Sequence, residues 1–490
     1  MGNSIPCNSF LIENTNHIPM KDKKNKHPLI IRWTHWINFP VLAIMIWSGL
    51  MIYWANDVYR LGWGDTTLVK FFPDSFYKTL KLDAHLADGM AYHFFFMWLF
   101  FINGFIYVIY TILSGEWRYL LPTKGALTQT WQVLLHDLHL SKKLPPKVKY
   151  NAAQRIAYTA TIIMGFGSLI TGLAIYKPVQ FSWLCNLLGG YKWARVEHFA
   201  LTIGYVLFFL IHVVQVILSG WNNFQSMVTG IETDAQNNRK KTILSFSVFI
   251  SMFMVGIILF YLLMHASDDN GVPKPLRKMM DMNEKVGKKF YSGQHLAKEY
   301  PKSKSETKVR VNGDIGMDDF DPSKWKLAIS RHPNDTSPDS TLLLNINDIK
   351  SLTKKDLIFD FKCIEGWNQI TFWGGTKFID FLKTYHLGTH SGKAPDSNHP
   401  EDLYQYVGLM TPDSTYYVGI DMLSMLQSQT ILAYQMNGLP LPIDQGAPLR
   451  LIIPIKYGVK HIKRIGFIYF SDTRPKDYWF ERGYEFDAAL

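Results

Sequence analysis

Four histidines and one cysteine are the residues whose types and spacing could do chemistry. His198 and His212 lie 14 positions apart in a long apolar run. On an α-helix that spacing returns to within ~40° of the same face, with a rise of ~21 Å. Two imidazoles so placed can each take an axial position on a flat iron macrocycle, one near each face of a membrane. Each then needs a partner from another helix. His35 stands at the start of the first apolar run, and His85 and His93 stand at the start of the second. Successive membrane helices alternate in direction, so His35 reaches the depth of His212 and His85 that of His198. Bis-imidazole ligation of two haems follows as the expectation. His85 lies beside Asp83 and Asp88, as His198 lies beside Glu197, and is the first choice for the outer partner. His93, ~12 Å deeper by helical rise, is the second. A lone histidine in a membrane helix serves a helix–helix hydrogen bond equally well; four at paired depths argue for ligation.

The second half of the chain offers other chemistry. Its one cysteine, Cys363, closes an alternating run, 357–363, that reads as a strand. The other two, Cys7 and Cys185, are far away in sequence. Neither a disulfide framework nor a paired-cysteine metal site is indicated. Downstream, Arg450, Lys460 and Lys463 gather bases in a short span. Taken alone, the bases read as a solvated face and the cysteine as a buried strand residue.

The elements that must position these residues divide the chain. Apolar segments at 36–54, 90–113, 156–176, 199–218 and 242–264 contain no Asp, Glu, Lys or Arg. Each is near the ~20 residues that cross a bilayer as a helix. The first 20 residues lack the apolar core of a signal peptide. Lys and Arg are denser in the N-terminal arm and in the second and fourth connections than in the first and third. That bias places the N-terminus in the cytoplasm and everything after Met264 outside it. Residues 266–306, rich in Lys, Asp, Pro and Gly, read as a linker. Residues 307–490 read as a mainly β domain, with strands near 326–330, 357–363 and 449–455 and helices near 347–352, 377–385 and 422–425. The chain is thus expected to be an all-α membrane bundle of residues 1–265, a linker, and an α+β domain. The net charge of +11 flanks the apolar segments and does not indicate nucleic acid.

Two resemblances follow. Arg32-Trp33-Thr34-His35-Trp36, His85-Leu-Ala-Asp-Gly89 and the His198/His212 spacing resemble the di-haem cytochrome b subunits of nickel–iron hydrogenases and formate dehydrogenases, over residues ~27–225. That resemblance implies two b haems and electron exchange with membrane quinone or quinol. The run around Cys363 through Trp367, the stretch 432–450 and Gly458 to Lys463 resemble the molybdopterin domain of the sulfite oxidase family, over about 307–490. It implies that Cys363 is the thiolate ligand of molybdenum and the catalytic residue. It also implies that Arg450, Lys460 and Lys463, with Gln445 and Gly446, lie at the molybdopterin cofactor. Gln445 departs from the histidine common there, which alters one pterin contact. Glu365, Trp367 and Asn368 replace an Arg-containing run, which weighs against sulfite and is nearer the bacterial reductase branch that includes periplasmic methionine sulfoxide reductases. Tyr416, Tyr417 and Asp421 are candidates for the substrate mouth and equally for the core. The expected function is a molybdenum oxidoreductase of a bacterial inner membrane, with its catalytic domain periplasmic, passing electrons from quinol through two haems to a small oxidised compound such as a sulfoxide. The alternatives are a sulfite-type dehydrogenase that reduces quinone, and a non-enzymatic haem conduit with a degenerate molybdenum fold. An additional electron-transfer subunit is a further candidate partner.

Overall fold

The computed structural model describes residues 27–55, 60–63, 66–70, 73–137, 140–141, 150–218, 220–230, 239–290, 295–318, 321–330, 341–396 and 398–490. The basic residues at 21–26 and 142–149, part of the expected orientation signal, lie outside these stretches.

Among the described residues, five helices are long and apolar enough to cross a membrane. They are α1 (Leu29–Trp54), α2 (Leu86–Leu113), α3 (Ala152–Tyr176), α4 (Tyr191–Leu218) and α5 (Arg239–His265). In lipid every backbone polar group must be satisfied within the protein, and a helix does this within its own segment. Asn151 caps α3, its side chain accepting from the Gln154 amide at 2.8 Å while Gln154 Oε1 accepts from the Asn151 amide at 3.0 Å. α4 starts well before the apolar run that marks it. Gly189 and Gly190 take φ of +80° and +102°, turning the chain so that the Gly190 carbonyl can receive the Ala194 amide at 3.0 Å. α1 and α2 approach closely at Gly89, where a Cβ would lie 2.9 Å from Met51 Cβ. Asn103 ties the same pair, donating to the Thr34 carbonyl at 2.9 Å.

The expected linker contains a helix, α6 (Lys274–Phe290). One side buries Leu276 and Met280 against Ala91 of α2. Asn283 accepts from Trp98 of α2 at 2.7 Å. Another side serves the β domain: Arg277 donates to the Tyr484 and Phe480 carbonyls at 3.1 and 2.9 Å, and Arg474 reaches Asp281 and Glu284 at 3.0 and 2.6 Å. Its apolar residues recur with a helical period, a signal that the reading of this stretch as linker passed over.

The β domain comprises β1 (Leu327–Ser330), β2 (Thr341–Leu344), β3 (Lys354–Lys362), β4 (Asn368–Lys377), β5 (Tyr406–Met410), β6 (Tyr417–Asp421), β7 (Ile431–Met436), β8 (Leu439–Pro440), β9 (Arg450–Ile452) and β10 (Phe467–Ser471). One sheet runs β8-β7-β4-β3, with β9 also on β7; the other runs β2-β1-β10-β5-β6. Short helices at Ile346–Lys350, Phe378–Tyr385 and Met422–Met425 fall where the sequence places them. Leu327, Ile329, Phe378, Phe381, Val407, Leu451 and Ile468 share one core. Each such side chain contributes about 1.5–3 kcal/mol of burial free energy. β3 and β4 pair from Lys354↔Thr376 to Lys362↔Asn368, so residues 363–367 form the turn between them. The domain sits on the helix ends of the bundle: Lys177, capping α3, donates to the Ala489 carbonyl at 2.8 Å, and Tyr457 donates to the Ile175 carbonyl at 3.4 Å. The architecture is the expected one, a helical membrane part followed by a β-rich α+β domain.

Candidate functional site

The bundle brings four histidines together in two pairs. His35 of α1 faces His212 of α4, with ring centres 6.0 Å apart. His93 of α2 faces His198 of α4, with ring centres 6.2 Å apart. A metal between two imidazoles sits about 2 Å from each nitrogen, which puts the ring centres about 6 Å apart. The depths match along the helices. His93 and His198 each lie seven residues beyond the first residues of their helices, Leu86 and Tyr191. His35 and His212 each lie six residues from the other membrane face, at Leu29 and Leu218. Ser48 Oγ lies 3.1 Å from His93 Nδ1, and Thr171 Oγ1 lies 2.9 Å from His198 Nδ1. A hydroxyl on Nδ1 sets the ring orientation and leaves Nε2 for a metal. Among the described residues no three His, Cys, Asp or Glu side chains cluster as a metal cage. Facing pairs suit a metal whose remaining positions a macrocycle fills, so the residues present fit haem.

Here the first choice between two histidines is corrected. His85 does not face His198; it lies in a short 3-10 turn before α2, partly exposed, 3.4 Å from Asp88. The sequence reading began α4 near Phe199, which left His198 at the membrane edge. With α4 beginning at Tyr191, His198 is two turns inside the helix, at the depth of His93.

Cys363 lies in the β3–β4 turn and lines a cavity of about 430 Å³. Its amide donates to the Trp367 carbonyl at 2.9 Å, closing the turn. Burial, then the charge of Glu365, pushes the thiol up to about 12. A thiol this hard to ionise becomes a thiolate when a metal supplies the opposing charge. Arg450, at the start of β9, also lines the cavity and is buried. It donates to the Gln445 carbonyl at 2.9 Å, to Gln445 Oε1 at 3.2 Å and to the His461 carbonyl at 3.2 Å. Its guanidinium stands 4.7 Å from the Trp373 ring centre. Among the described residues its Nε has no hydrogen-bond partner and it pairs with no carboxylate. Burial lowers its pKa to about 9. Lys463 joins it on the cavity wall; burial, then the charge of Arg450, lowers its pKa to about 8. Two cations that pair with no carboxylate among the described residues, and one orphaned N–H, make a site for an anion, and Arg with Lys suits a phosphate. The residues therefore fit a thiolate-bound molybdenum with a phosphate-bearing pterin.

Not every expected residue joins the cavity. Lys460 is buried elsewhere, donating to Asp477 Oδ2 at 2.5 Å and to the Gly419 carbonyl at 2.9 Å. It is one half of a buried ion pair, because its side chain leaves the short 3-10 turn at 458–460 on the side facing β6. Gly446 shapes the wall without lining it. Its φ is +102°, and a Cβ there would lie 2.8 Å from Lys463 Cβ. Of the suggested mouth residues, Tyr416 lines the cavity and donates to the Val459 carbonyl at 2.6 Å. Tyr417 donates instead to Glu481, and Asp421 caps a helix and pairs with Lys456. Sequence reasoning missed a strap, residues 309–315, that lines one wall of the cavity. Asn312 Nδ2 lies 3.8 Å from Cys363 Sγ and 3.3 Å from Glu365 Oε1. Gln445 donates to the Arg310 carbonyl at 3.3 Å and Lys463 to the Gly313 carbonyl at 2.7 Å. The strap has no periodicity to announce it. His461, by contrast, sits inside the recognised 458–463 motif and lines the cavity too.

Comparison with known proteins agrees with this division. The family described as prokaryotic cytochrome b561 matches residues 26–230, and the oxidoreductase molybdopterin binding domain matches residues 314–479. A protein of Azospira oryzae, named as the protein-methionine-sulfoxide reductase subunit YedZ1, is 34% identical over 193 residues, 39% of this chain and 90% of that one. The protein-methionine-sulfoxide reductase catalytic subunit MsrP of Xanthomonas campestris is 29% identical over 202 residues, 38% of this chain and 60% of that subunit. The solved sulfane dehydrogenase SoxCD of Paracoccus pantotrophus aligns at a TM-score of 0.25, with 14% identity, over 32% of this chain and 40% of that one, too weak to carry an argument. These matches indicate haem b and molybdenum–molybdopterin as cofactors, in an integral membrane protein. The chain belongs to the prokaryotic cytochrome b561 family, with a molybdopterin-binding oxidoreductase domain of sulfite-oxidase type fused behind it.

Proposed function

We propose that the chain is a quinol-driven reductase of a neutral sulfoxide, with its catalytic domain on the non-cytoplasmic side of a bacterial inner membrane. The observation that carries the substrate is the carboxylate beside Cys363. Glu365, two residues on, shares Asn312 with the thiol: Asn312 Nδ2 lies 3.3 Å from Glu365 Oε1 and 3.8 Å from Cys363 Sγ. A carboxylate at the reacting end of the cavity repels a sulfite dianion and tolerates an uncharged S=O group. The methionine-sulfoxide names of the relatives point the same way.

Two b haems are held in this reading, one by His35 and His212 and one by His93 and His198. When bound, the molybdenum cofactor supplies oxygen-atom exchange and the haems supply one-electron steps. The chain's own groups bind and orient. Cys363 anchors the metal, Arg450 and Lys463 hold the pterin phosphate, and Gln445 and His461 brace Arg450. Asn312 holds Glu365 beside the thiol, and the strap limits access of water. The overall change takes a sulfoxide, two electrons and two protons to a thioether and water.

The test is optical. Quinol-reduced protein in nanodiscs should have its haems reoxidised by methionine sulfoxide or dimethyl sulfoxide, with thioether formed, while sulfite leaves oxidised haems unreduced. Haem reduction by sulfite would reverse the assignment, and purified protein without molybdenum would end it.

A further inference from the structure

Tyr191, Arg195 and His198 follow one another at i, i+4 and i+7 along α4, so they share one face. The second donates to the turn that carries Cys363, and the first lies near the strand residue before it. Arg195 Nη1 donates to the Gly366 carbonyl at 2.5 Å. Lys362, immediately before Cys363, places its ammonium 5.6 Å from the Tyr191 ring centre. The third, His198, faces His93. Arg195 is itself braced, its guanidinium 5.5 Å from the Tyr53 ring centre while Tyr53 stacks on Phe199 at 4.5 Å. Gly366 has φ +95°, and a Cβ there would lie 2.9 Å from Arg195 Cζ. The receiving carbonyl therefore belongs to a position that only glycine fills without strain. The Gly366 amide donates to the Cys363 carbonyl at 3.0 Å, so a shift of Gly366 carries Cys363 with it.

We propose that Arg195 is a positioning residue that locks the cysteine turn onto the haem-bearing helix, so that electrons pass between the outer haem and the molybdenum site within one chain. The inference rests on the function proposed above. There, a quinol gives up two electrons and two protons and becomes quinone, and the sulfoxide takes up two electrons and two protons. Arg195 itself is neither oxidised nor reduced and transfers no proton.

The experiment uses the full chain in nanodiscs and two donors: a quinol, which enters at the bundle, and a reduced viologen, which reaches the molybdenum domain directly. Arg195→Leu should lower the quinol-to-viologen ratio of turnover by about tenfold or more, with haem and molybdenum contents at wild-type levels. An unchanged ratio overturns the proposal. A second readout is independent of turnover. The Mo(V) paramagnetic resonance signal should relax faster when the outer haem is ferric than when it is ferrous, and Arg195→Leu should weaken that difference. A difference as large as in the wild type also overturns it. Should Arg195→Leu not accumulate, Arg195→Lys keeps the charge but loses the planar fork, and the same ratio should fall by a smaller factor. Wild-type protein that binds molybdenum but reduces no sulfoxide would refute the proposed function instead, so the two failures are distinguishable.

Discussion

In the bundle, each histidine of the pair nearer the β domain leans on one neutral hydroxyl, Ser48 for His93 and Thr171 for His198. In the β domain, Arg450 is buried among carbonyls with one N–H unpartnered and no carboxylate within the described residues, and Lys463 stands beside it. The first arrangement is electrically quiet: neutral rings in an apolar place cost little, because nothing charged is stranded there. The second stores uncompensated positive charge that an incoming anion discharges. One region is prepared by geometry and the other by electrostatics, so the two should respond differently to substitution and to pH.

The largest contrast is expected at Cys363. Cys363→Ser exchanges a soft ligand for a hard, poorly ionised one of nearly equal volume. Sulfoxide turnover should fall by well over the roughly 100-fold typical of losing a supporting contact, while haem spectra and quinol reduction of the haems persist. A mutant with near-normal turnover would reduce Cys363 to a packing residue. Next come the histidines. His212→Ala and His93→Ala should each lower the pyridine haemochrome count from two to about one per chain, the protein lever here being the axial ligand. His85→Ala should leave the count alone; a loss there would restore the outer role first given to it. Lys460→Met is smaller and of another kind. It strands Asp477 in the interior, which costs about 3–5 kcal/mol of stability, read as a lowered melting temperature. Molybdenum per folded chain should not change, whereas a fall would return Lys460 to the cofactor. The subtlest effect concerns Lys463. Its pKa in the fold is lowered to about 8 from an ordinary 10.5, so the unfolded chain binds the proton more tightly. In cofactor-free protein, stability should therefore rise as pH climbs through the window from about 8 to 10.5. Lys463→Gln should flatten that rise in a thermal-shift series, and so should bound cofactor, whose phosphate favours the charged form. A flat wild-type profile would show that the cavity stores no charge.

Much of this was legible in the sequence, for physical reasons. Twenty apolar residues in a row have few other uses, and a 14-residue separation fixes two rings on one face whatever the tertiary detail. Cys363, Arg450 and Lys463 carry chemistry dense enough to resemble a known family. What escaped depends on partners remote in sequence. The His93 choice turned on where α4 begins, which two glycines decide. α6 carries an apolar helical period that the Lys, Asp, Pro and Gly around it masked, but that Arg277, Asn283 and Glu284 are buried depends on groups up to 207 positions away. Lys460 and Lys463, three apart in one motif, differ because Asp477 captures only the first. The strap at 309–315 is held by side chains from three other segments and has no pattern of its own.

Helix α6 touches both halves of the molecule while it joins them. The consequence is one of molecularity. Separate subunits would meet at a rate set by how many of each a membrane holds. Tethered partners meet at an effective concentration that, even for a loose short connection, is on the order of millimolar. Exchange between the halves is then first order, with a fixed one-to-one stoichiometry. Turnover per chain should stay constant across a dilution series, and a cell making very few copies would lose none of the activity of each.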